Sequence, residues 1–192
     1  QAKKDSIDTL LEAAQLKEGG RTKAVVATGI LNMWMHEPHD VAAAHVRLTE
    51  QFGPRFLLGL GISHAPLIDA KEAGRYQKPL ATTKAFLDGL DDAPQPVPAD
   101  ARVLAALGPK MLQLSADRTA GAHPYLVTPD HTKVARETLG DGPLLAPEQT
   151  AIFAADRDEA RAVGTKWLKG YLAMPNYANN LRRLGFSEDD LS

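Results

Sequence analysis

Short apolar runs alternate along the chain with longer amphipathic segments rich in alanine. Runs rich in leucine or β-branched residues predict strands at residues 23–30, 55–62, 101–107, 121–128 and 142–155. Between them, apolar residues recur at helical spacing and predict helices over about residues 39–51, 72–91, 109–119, 130–139 and 156–172. This alternation is typical of βα units that build a parallel sheet, so the predicted fold class is α/β.

Capping residues and prolines mark several of the boundaries. Pro109 stands at a natural first helical position. Thr128 or Asp130 can cap the fourth of these helices. A further helix is predicted over residues 7–17, and the proline-rich segment 91–100 is predicted to be a loop.

The βα units fit two architectures, namely most of a doubly wound sheet or part of an eight-stranded barrel. The pattern alone does not choose between them. A complete barrel usually needs about 250 residues, and this chain has only 192 residues. We expect one domain over residues 1–192, because no segment has the length of a linker between domains.

Composition narrows the function classes. A content of 44% hydrophobic and 24% charged residues is ordinary for a globular domain. With 22 basic and 24 acidic residues, the chain offers no broad attraction to nucleic acid or to an anionic membrane. It has no cysteine, which excludes disulfides, thiolate metal sites and a cysteine nucleophile. No apolar stretch approaches the roughly 20 residues of a membrane span, and a signal-peptide pattern is missing, so we expect a cytoplasmic protein.

Candidate chemistry lies just after each apolar run, because both parallel architectures place their active face at the carboxyl ends of the strands. The segments at these positions are residues 28–32, 61–64, 108–110, 123–125 and 148–149.

The segment FLLGLGISHAPL, residues 56–67, ends an apolar run in glycines, a serine and a histidine. Glycine at a strand end lets a flat ligand approach the backbone closely, and Ser63 and His64 can offer hydrogen bonds to it. Alternatively, Gly59 and Gly61 only permit tight packing of strand and helix. The sequence leaves both interpretations open.

Other segments carry weaker signals. In LGPKML, residues 107–112, the N–H groups of Lys110 and Met111 at a helix start can bind a phosphate, although Gly-Pro also begins ordinary helices. Trp34 and Tyr177 can contact a substrate or simply bury a neighbouring loop.

Several standard motifs are absent. In HEPH, residues 36–39, the histidines are three rather than four apart and a proline separates them, so we expect no metal site. The chain also lacks the Gly-x-Ser-x-Gly elbow, the Walker pattern and the Gly-x-Gly-x-x-Gly fingerprint. Their absence removes support from hydrolase, P-loop and classical nicotinamide functions.

A family resemblance rests on the segments VVATGILNMW, RFLLGLGISHAPL, LAALGPKMLQLSADRTAGAHPYLVTPDHT, LLAPEQ and MPNYANNLRRLGF. Together they resemble the luciferase-like monooxygenase superfamily, in particular its branch of probable coenzyme F420-dependent oxidoreductases. The resemblance covers nearly all of residues 20–190, and residues 107–132 are its most specific part. It implies a TIM-type (β/α) barrel of the bacterial luciferase-like type, incomplete in this chain and lacking N-terminal and C-terminal units. The exposed strand edges of such a barrel favour a homodimer.

The resemblance also implies a cofactor at the carboxyl ends of the strands, either coenzyme F420 or, as the alternative, FMN. A non-prolyl cis peptide is implied at Gly29–Ile30. We take His64 as the catalytic candidate that handles a proton, and Trp34 and Tyr177 as candidates for substrate contact. The residues implied to bind the cofactor are Thr28, Gly29, Ile30, Asn32, Gly61, Ser63, Gly108, Pro109, Lys110, Met111, Gly121, Ala122 and His123.

Three functions follow as hypotheses. The leading one is an oxidoreductase that transfers hydride between the F420 or flavin cofactor and a small organic substrate, with no nucleic acid or membrane as partner. The alternative is a non-catalytic truncated barrel that binds a flavin-like ligand or a partner chain. The third is a phosphate-recognising doubly wound domain, which predicts an open sheet without barrel curvature.

Overall fold

A parallel sheet lies at the centre of the chain. The computed structural model describes residues 25–191, so the helix predicted over residues 7–17 lies outside the described residues. Every strand pair in this six-stranded sheet is parallel. The strands are β1 (Val26–Ala27), β2 (Leu31–Asn32), β3 (Phe56–Gly61), β4 (Arg102–Leu104), β5 (Gly121–Ala122) and β6 (Leu144–Leu145).

The strand order follows the sequence. Both β1 and β2 pair with β3, while β4, β5 and β6 follow in order on the other side of β3. A bridge between Tyr125 and Glu148 extends the last pair. A doubly wound sheet reverses its strand order at a switch point, and no reversal occurs within residues 25–191. The described sheet is therefore a half-barrel.

The half-barrel corrects the predicted fold. A TIM-type barrel closes with eight strands, whereas the sheet of residues 25–191 ends at β1 and β2 on one side and at β6 on the other. The prediction of an incomplete TIM-type (β/α) barrel of the luciferase-like type is wrong, because the described sheet is an open half-barrel. The fold is α/β, with an open parallel sheet.

Helices connect successive strands and continue after the last one. They are α1 (Pro38–Phe52), α2 (Ala65–Asp69), α3 (Pro79–Asp91), α4 (Pro109–Arg118), α5 (Pro129–Leu139), α6 (Arg157–Leu172) and α7 (Pro175–Arg183). Short 3-10 turns lie at Met33–Met35, Ala99–Ala101 and Asp189–Leu191. Within residues 25–191, no helix combines the length and the apolar character that a membrane span needs.

Side-chain caps explain where two of the helices begin. The Thr128 hydroxyl accepts a hydrogen bond from the backbone N–H of His131, so Thr128 caps α5 as one of the two predicted candidates. Asp156 accepts hydrogen bonds from the backbone N–H groups of Asp158 and Glu159 and caps α6. These caps satisfy N–H groups that have no partner within the helix.

One predicted helix and several predicted strands are shorter than expected, and the strands predicted over residues 23–30, 101–107 and 121–128 are reduced to β1, β4 and β5. The helix predicted over residues 72–91 begins only at Pro79, because Lys78 has a left-handed backbone (φ 48°) and the residue before a proline disfavours the helical region. The strand predicted over residues 142–155 is reduced to β6. Pro147 offers no N–H group to extend it.

Apolar packing fixes the helices against the sheet. The larger cluster joins β3 and β4 to α1 and α3, and within it Leu60, Leu87 and Leu90 are fully buried. A smaller cluster packs α4 and α5 against β5 around Ala122 and Ala135. Burial of each leucine side chain contributes about 1.5–3 kcal/mol. The loops at the carboxyl ends of the strands therefore extend from a well-packed core.

Candidate functional site

A cavity of about 690 Å³ lies at the carboxyl ends of the strands. Sites for small organic molecules have volumes of roughly 300–1,000 Å³. One side, here called the sheet wall, consists of residues that follow the strands, namely Gly29, Ile30, Gly61, Gly108 and His123. The other side, the helical wall, consists of residues from α6 and α7, namely Tyr171, Asn176, Tyr177 and Arg183.

Close backbone contacts shape the sheet wall. Between β1 and β2 the chain leaves the ladder, and the Thr28 hydroxyl donates to the Gly59 carbonyl and accepts from the Gly59 N–H, both at 2.8 Å. A side chain at Gly59 would place its Cβ 1.9 Å from the Thr28 carbonyl oxygen, so only glycine fits. At Gly61 a Cβ would lie 2.6 Å from the Ile30 side chain. Tight packing therefore accounts for both glycines, and Gly61 also borders the cavity.

A cis peptide bond joins Gly29 and Ile30, at the position that the sequence resemblance implies. Gly29 faces His123 and Glu148 on the same side of the cavity. A Cβ built on Gly29 would lie 3.5 Å from His123 Nε2 and 4.0 Å from Glu148 Oε2, which is ordinary van der Waals contact. An alanine therefore fits at Gly29 and would occupy space in front of these groups.

His64 precedes α2 and faces the helical wall. Its Nδ1 donates a hydrogen bond to Asn176 Oδ1 at 3.1 Å, and its ring centroid lies 5.2 Å from that of Tyr177. Burial lowers the pKa of His64, and the hydrogen bond to Asn176 opposes part of this shift. The imidazole is therefore neutral near pH 7, and Nε2 is left as a hydrogen-bond acceptor.

His123 follows β5 and has a carboxylate beside it. Its Nδ1 donates a hydrogen bond to the Ala146 carbonyl at 2.7 Å. Its Nε2 lies 3.5 Å from Oε2 of Glu148. A carbonyl oxygen only accepts hydrogen bonds, so Nδ1 carries a proton and Nε2 is the ring atom free to gain or lose one.

Aromatic rings extend the helical wall. The ring centroid of Tyr171 lies 5.3 Å from that of Tyr125 and 5.5 Å from that of Tyr177. The ring centroid of Trp167 lies 4.8 Å from that of Tyr171. A hydrogen bond to Tyr125 raises the pKa of Tyr171, and burial raises the pKa of Tyr177. The hydroxyls therefore stay protonated near neutral pH, and the wall offers aromatic faces and neutral donors.

Arg183 brings positive charge to the cavity. Its guanidinium donates to Asn180 Oδ1 at 3.2 Å, and it lies 3.7 Å from where a Cβ on Gly108 would stand. Gly108 immediately precedes α4, so the guanidinium lies beside the positive end of a helix dipole. Together with Glu148, Arg183 gives the cavity charges of both signs.

The structure brings many of the predicted site residues together at this cavity. They are Gly29, Ile30, Asn32, Gly61, Ser63, His64, Gly108, Met111, His123 and Tyr177. Predicted residues outside its lining are Thr28, Trp34, Pro109, Lys110, Gly121 and Ala122.

The residues outside the lining have structural contacts or are exposed. Lys110 is exposed on the first turn of α4, so its side chain does not contribute to the cavity. A Cβ on Gly121 would lie 1.9 Å from the Leu144 carbonyl oxygen, which ties this glycine to strand pairing. Trp34 donates from Nε1 to the Ile62 carbonyl at 2.7 Å.

Sequence reasoning missed most of the helical wall. Tyr171, Asn176 and Arg183 line the cavity, but none of them follows a strand. One signal was present in the sequence of α7, where the polar residues Asn176, Asn179 and Arg183 recur at helical spacing and all line the cavity. Polar side chains on the buried face of a helix indicate a polar cavity or a hydrogen-bond network.

Comparison with known proteins gives a partial relative. No family model matches the chain. The ribosomal protein uS12 methylthiotransferase RimO of Kineococcus radiotolerans is 36% identical over 153 residues, which are 74% of this chain and 25% of RimO. The chain thus spans about a quarter of the length of this curated relative. The crystal structure of apo-MsnO8 matches with a TM-score of 0.49 and 17% identity, over 74% of this chain and 46% of that one.

The curated relative contradicts the predicted family and function. RimO is named for methylthio transfer to a ribosomal protein, not for hydride transfer, and no family model supports the luciferase-like assignment. The predictions of an F420-dependent oxidoreductase, of coenzyme F420 or FMN as cofactor, and of a truncated flavin-binding or partner-binding barrel are corrected accordingly. The cavity itself does not depend on that assignment.

Proposed function

We propose that this chain is an enzyme domain that binds a small organic molecule in the cavity at the carboxyl ends of its strands. The observation that carries the proposal is the cavity of about 690 Å³, on which aromatic rings, two imidazoles and charges of both signs converge. A largely preformed pocket with a few convergent polar groups is the usual form of a small-molecule site.

The chemistry of the walls indicates the class of molecule. Tyr125, Tyr171 and Tyr177 offer aromatic faces, against which an apolar or ring-bearing part can pack. The neutral His64 accepts a hydrogen bond at Nε2, and Arg183 can donate to an oxygen of the bound molecule. The ligand is therefore an organic molecule with an apolar face and hydrogen-bonding edges.

The partial relative supports an enzymatic role but not a sulfur centre in this segment. RimO is by name an enzyme that transfers a methylthio group. A metal–sulfur cofactor held by thiolates does not fit this chain, because it has no cysteine. Within residues 25–191, no group of three or more His, Asp and Glu side chains could hold a metal ion. We infer that the segment shared with RimO supplies a small-molecule pocket.

Location and assembly belong to the same proposal. The relative acts, by its name, on a ribosomal protein, which supports a cytoplasmic location. The homodimer stays a prediction.

Equilibrium dialysis tests the proposal. The purified protein is dialysed against a protein-free bacterial extract of small molecules, and retained compounds are identified by mass spectrometry. We expect the wild-type protein to enrich a defined compound. We expect Gly29→Ala to retain about tenfold less of it, because the added methyl group stands in front of His123 and Glu148.

Gly142→Ala is the matched control, because a Cβ there meets no heavy atom within 4 Å. It makes the same chemical change outside the cavity and should retain the compound at the wild-type level. Equal retention by Gly29→Ala and the wild type, or no enrichment by the wild type, would contradict the proposed function.

A further inference from the structure

We propose that His123 and Glu148 form a proton-transfer pair in this cavity, with His123 Nε2 as the atom that takes a proton from the bound molecule. The inference rests on the proposed function, because it requires a molecule in the cavity. It adds a specific chemical step and assigns it to a residue other than the sequence-based candidate His64.

The His123 ring has a fixed orientation. Nδ1 donates to the Ala146 carbonyl at 2.7 Å, and that carbonyl cannot return a proton. Nδ1 therefore keeps its hydrogen in each protonation state, and proton exchange is confined to Nε2. A general base must present one defined nitrogen to the proton that it accepts, and here that nitrogen is Nε2.

A carboxylate lies beside Nε2 of His123. Glu148 Oε2 lies 3.5 Å away, where its negative charge stabilises the imidazolium that forms when Nε2 accepts a proton. The two residues are held on adjacent positions of the sheet: the Glu148 N–H donates to the Pro124 carbonyl at 2.9 Å, and Glu148 pairs with Tyr125 in a parallel bridge. The side chain of His123 is 23% exposed and that of Glu148 49% exposed, so both remain open to the cavity.

His64 has a neutral partner where His123 has a carboxylate beside it. Its Nδ1 partner is the neutral amide of Asn176, and burial disfavours its charged form. His64 is therefore suited to accept a hydrogen bond, whereas His123 is suited to carry a positive charge. Further titratable or charged groups that line the cavity with the pair are Tyr76, Tyr125, Tyr171, Tyr177 and Arg183.

The chemical step is balanced without a redox partner. Nε2 of His123 forms a bond to the proton of an O–H, N–H or activated C–H group of the bound molecule. The bond from that proton to the molecule breaks, and its electron pair stays on the molecule. Glu148 stays ionised beside the imidazolium. Return of the proton to the product restores the neutral ring.

Ring opening of nitrobenzisoxazole tests the pair, because this planar aromatic probe needs only a base. Removal of its ring C–H proton breaks the N–O bond and releases a coloured cyanonitrophenolate. We expect the wild-type protein to accelerate the reaction and Gly29→Ala to reduce the acceleration. His123→Asn should lower the rate by about 10²-fold, the lower end of general-base contributions.

Glu148→Gln should lower the same rate by about fivefold, as expected for a half-exposed charge interaction. Glu148→Asp, which keeps the negative charge, should retain more of the rate than Glu148→Gln, which keeps the shape of the side chain; a purely structural role for Glu148 would give the reverse order. His39→Asn, which alters an exposed histidine outside the cavity, is the matched control and should behave as the wild type.

Two results would overturn the inference. One is a rate that does not depend on His123, or no acceleration by the wild-type protein. The other is nitrogen NMR of the wild-type protein showing that neutral His123 carries its proton on Nε2. This NMR measurement uses the wild-type protein, so it does not depend on whether a variant folds. The dialysis result decides the proposed function separately, because a compound can be retained even if His123 removes no proton.

Discussion

The sheet wall of the cavity follows a continuous ladder of parallel strands, whereas the helical wall is held by contacts between side chains. Behind the sheet wall, the Thr28 hydroxyl makes the hydrogen bonds to the Gly59 N–H and carbonyl that a neighbouring strand would otherwise make. On the helical wall, Tyr171 and Tyr177 pack through their rings, and Asn176 reaches His64 through a single hydrogen bond. A substitution at Gly59, behind the sheet wall, acts on folding, because there is no space for an added atom there. A substitution of Tyr171 on α6 acts on the lining of the cavity instead, because α6 has no buried residue.

The largest expected effect is that of Gly59→Ala, behind the sheet wall. The new Cβ would lie 1.9 Å from the Thr28 carbonyl oxygen, and backbone atoms cannot move aside as a flexible side chain can. Overpacking of this kind costs about 1–3 kcal/mol and occasionally more, and we expect the upper end. Urea unfolding, compared with Gly142→Ala as the unconstrained control, measures it. Equal unfolding free energies for the two variants would mean that the close approach at Gly59 is absent in solution.

The same contrast explains how much of the molecule could be predicted. The sheet wall follows from a simple rule, because residues after apolar runs must meet at one edge of a parallel sheet. Gly29, Gly61, His64 and His123 were found in this way. Thr128 as a cap followed from local chemistry that needs no tertiary information.

The helical wall could not be predicted by that rule. Tyr171 and Arg183 reach the cavity from α6 and α7, which come after the last strand along the chain and so lie outside the reach of that rule. For Lys110 the same rule predicts a site residue that does not line the cavity. It follows a strand, yet the first turn of α4 points its side chain to solvent. Whether the sheet closes into a barrel also depends on which strands pair when they are far apart in the sequence, and hydrophobic periodicity does not contain that information.

A medium effect is expected for Thr28→Val, which keeps the shape of the side chain but removes its hydroxyl. The N–H and carbonyl of Gly59 would then lose the partner that they both share. Leaving buried polar groups without hydrogen bonds costs about 1–3 kcal/mol, and urea unfolding should show a loss in that range. Thr28→Ser keeps the hydroxyl and should retain most of the stability. If both variants unfold alike, the hydroxyl does not replace a strand partner.

The smallest effect on stability is expected on the helical wall, where the pH dependence of His64 can be read directly. Burial lowers the pKa of His64 in the folded chain, so the unfolded chain takes up a proton first as the pH falls. Above the ordinary histidine pKa the ring is neutral in the folded and the unfolded chain, so it does not change the free energy of unfolding. As the pH falls from the ordinary histidine pKa towards the lower pKa of the folded chain, the free energy of unfolding decreases.

Asn176→Ala should lower the pKa of His64 further, because the hydrogen bond that raises it is lost. NMR titration of the His64 ring in the wild type and in Asn176→Ala measures both shifts. Asn179→Ala is the control, because Asn179 accepts from Arg182 rather than from His64. A His64 that titrates at its ordinary value in all three proteins would show that the helical wall does not close over the ring in solution.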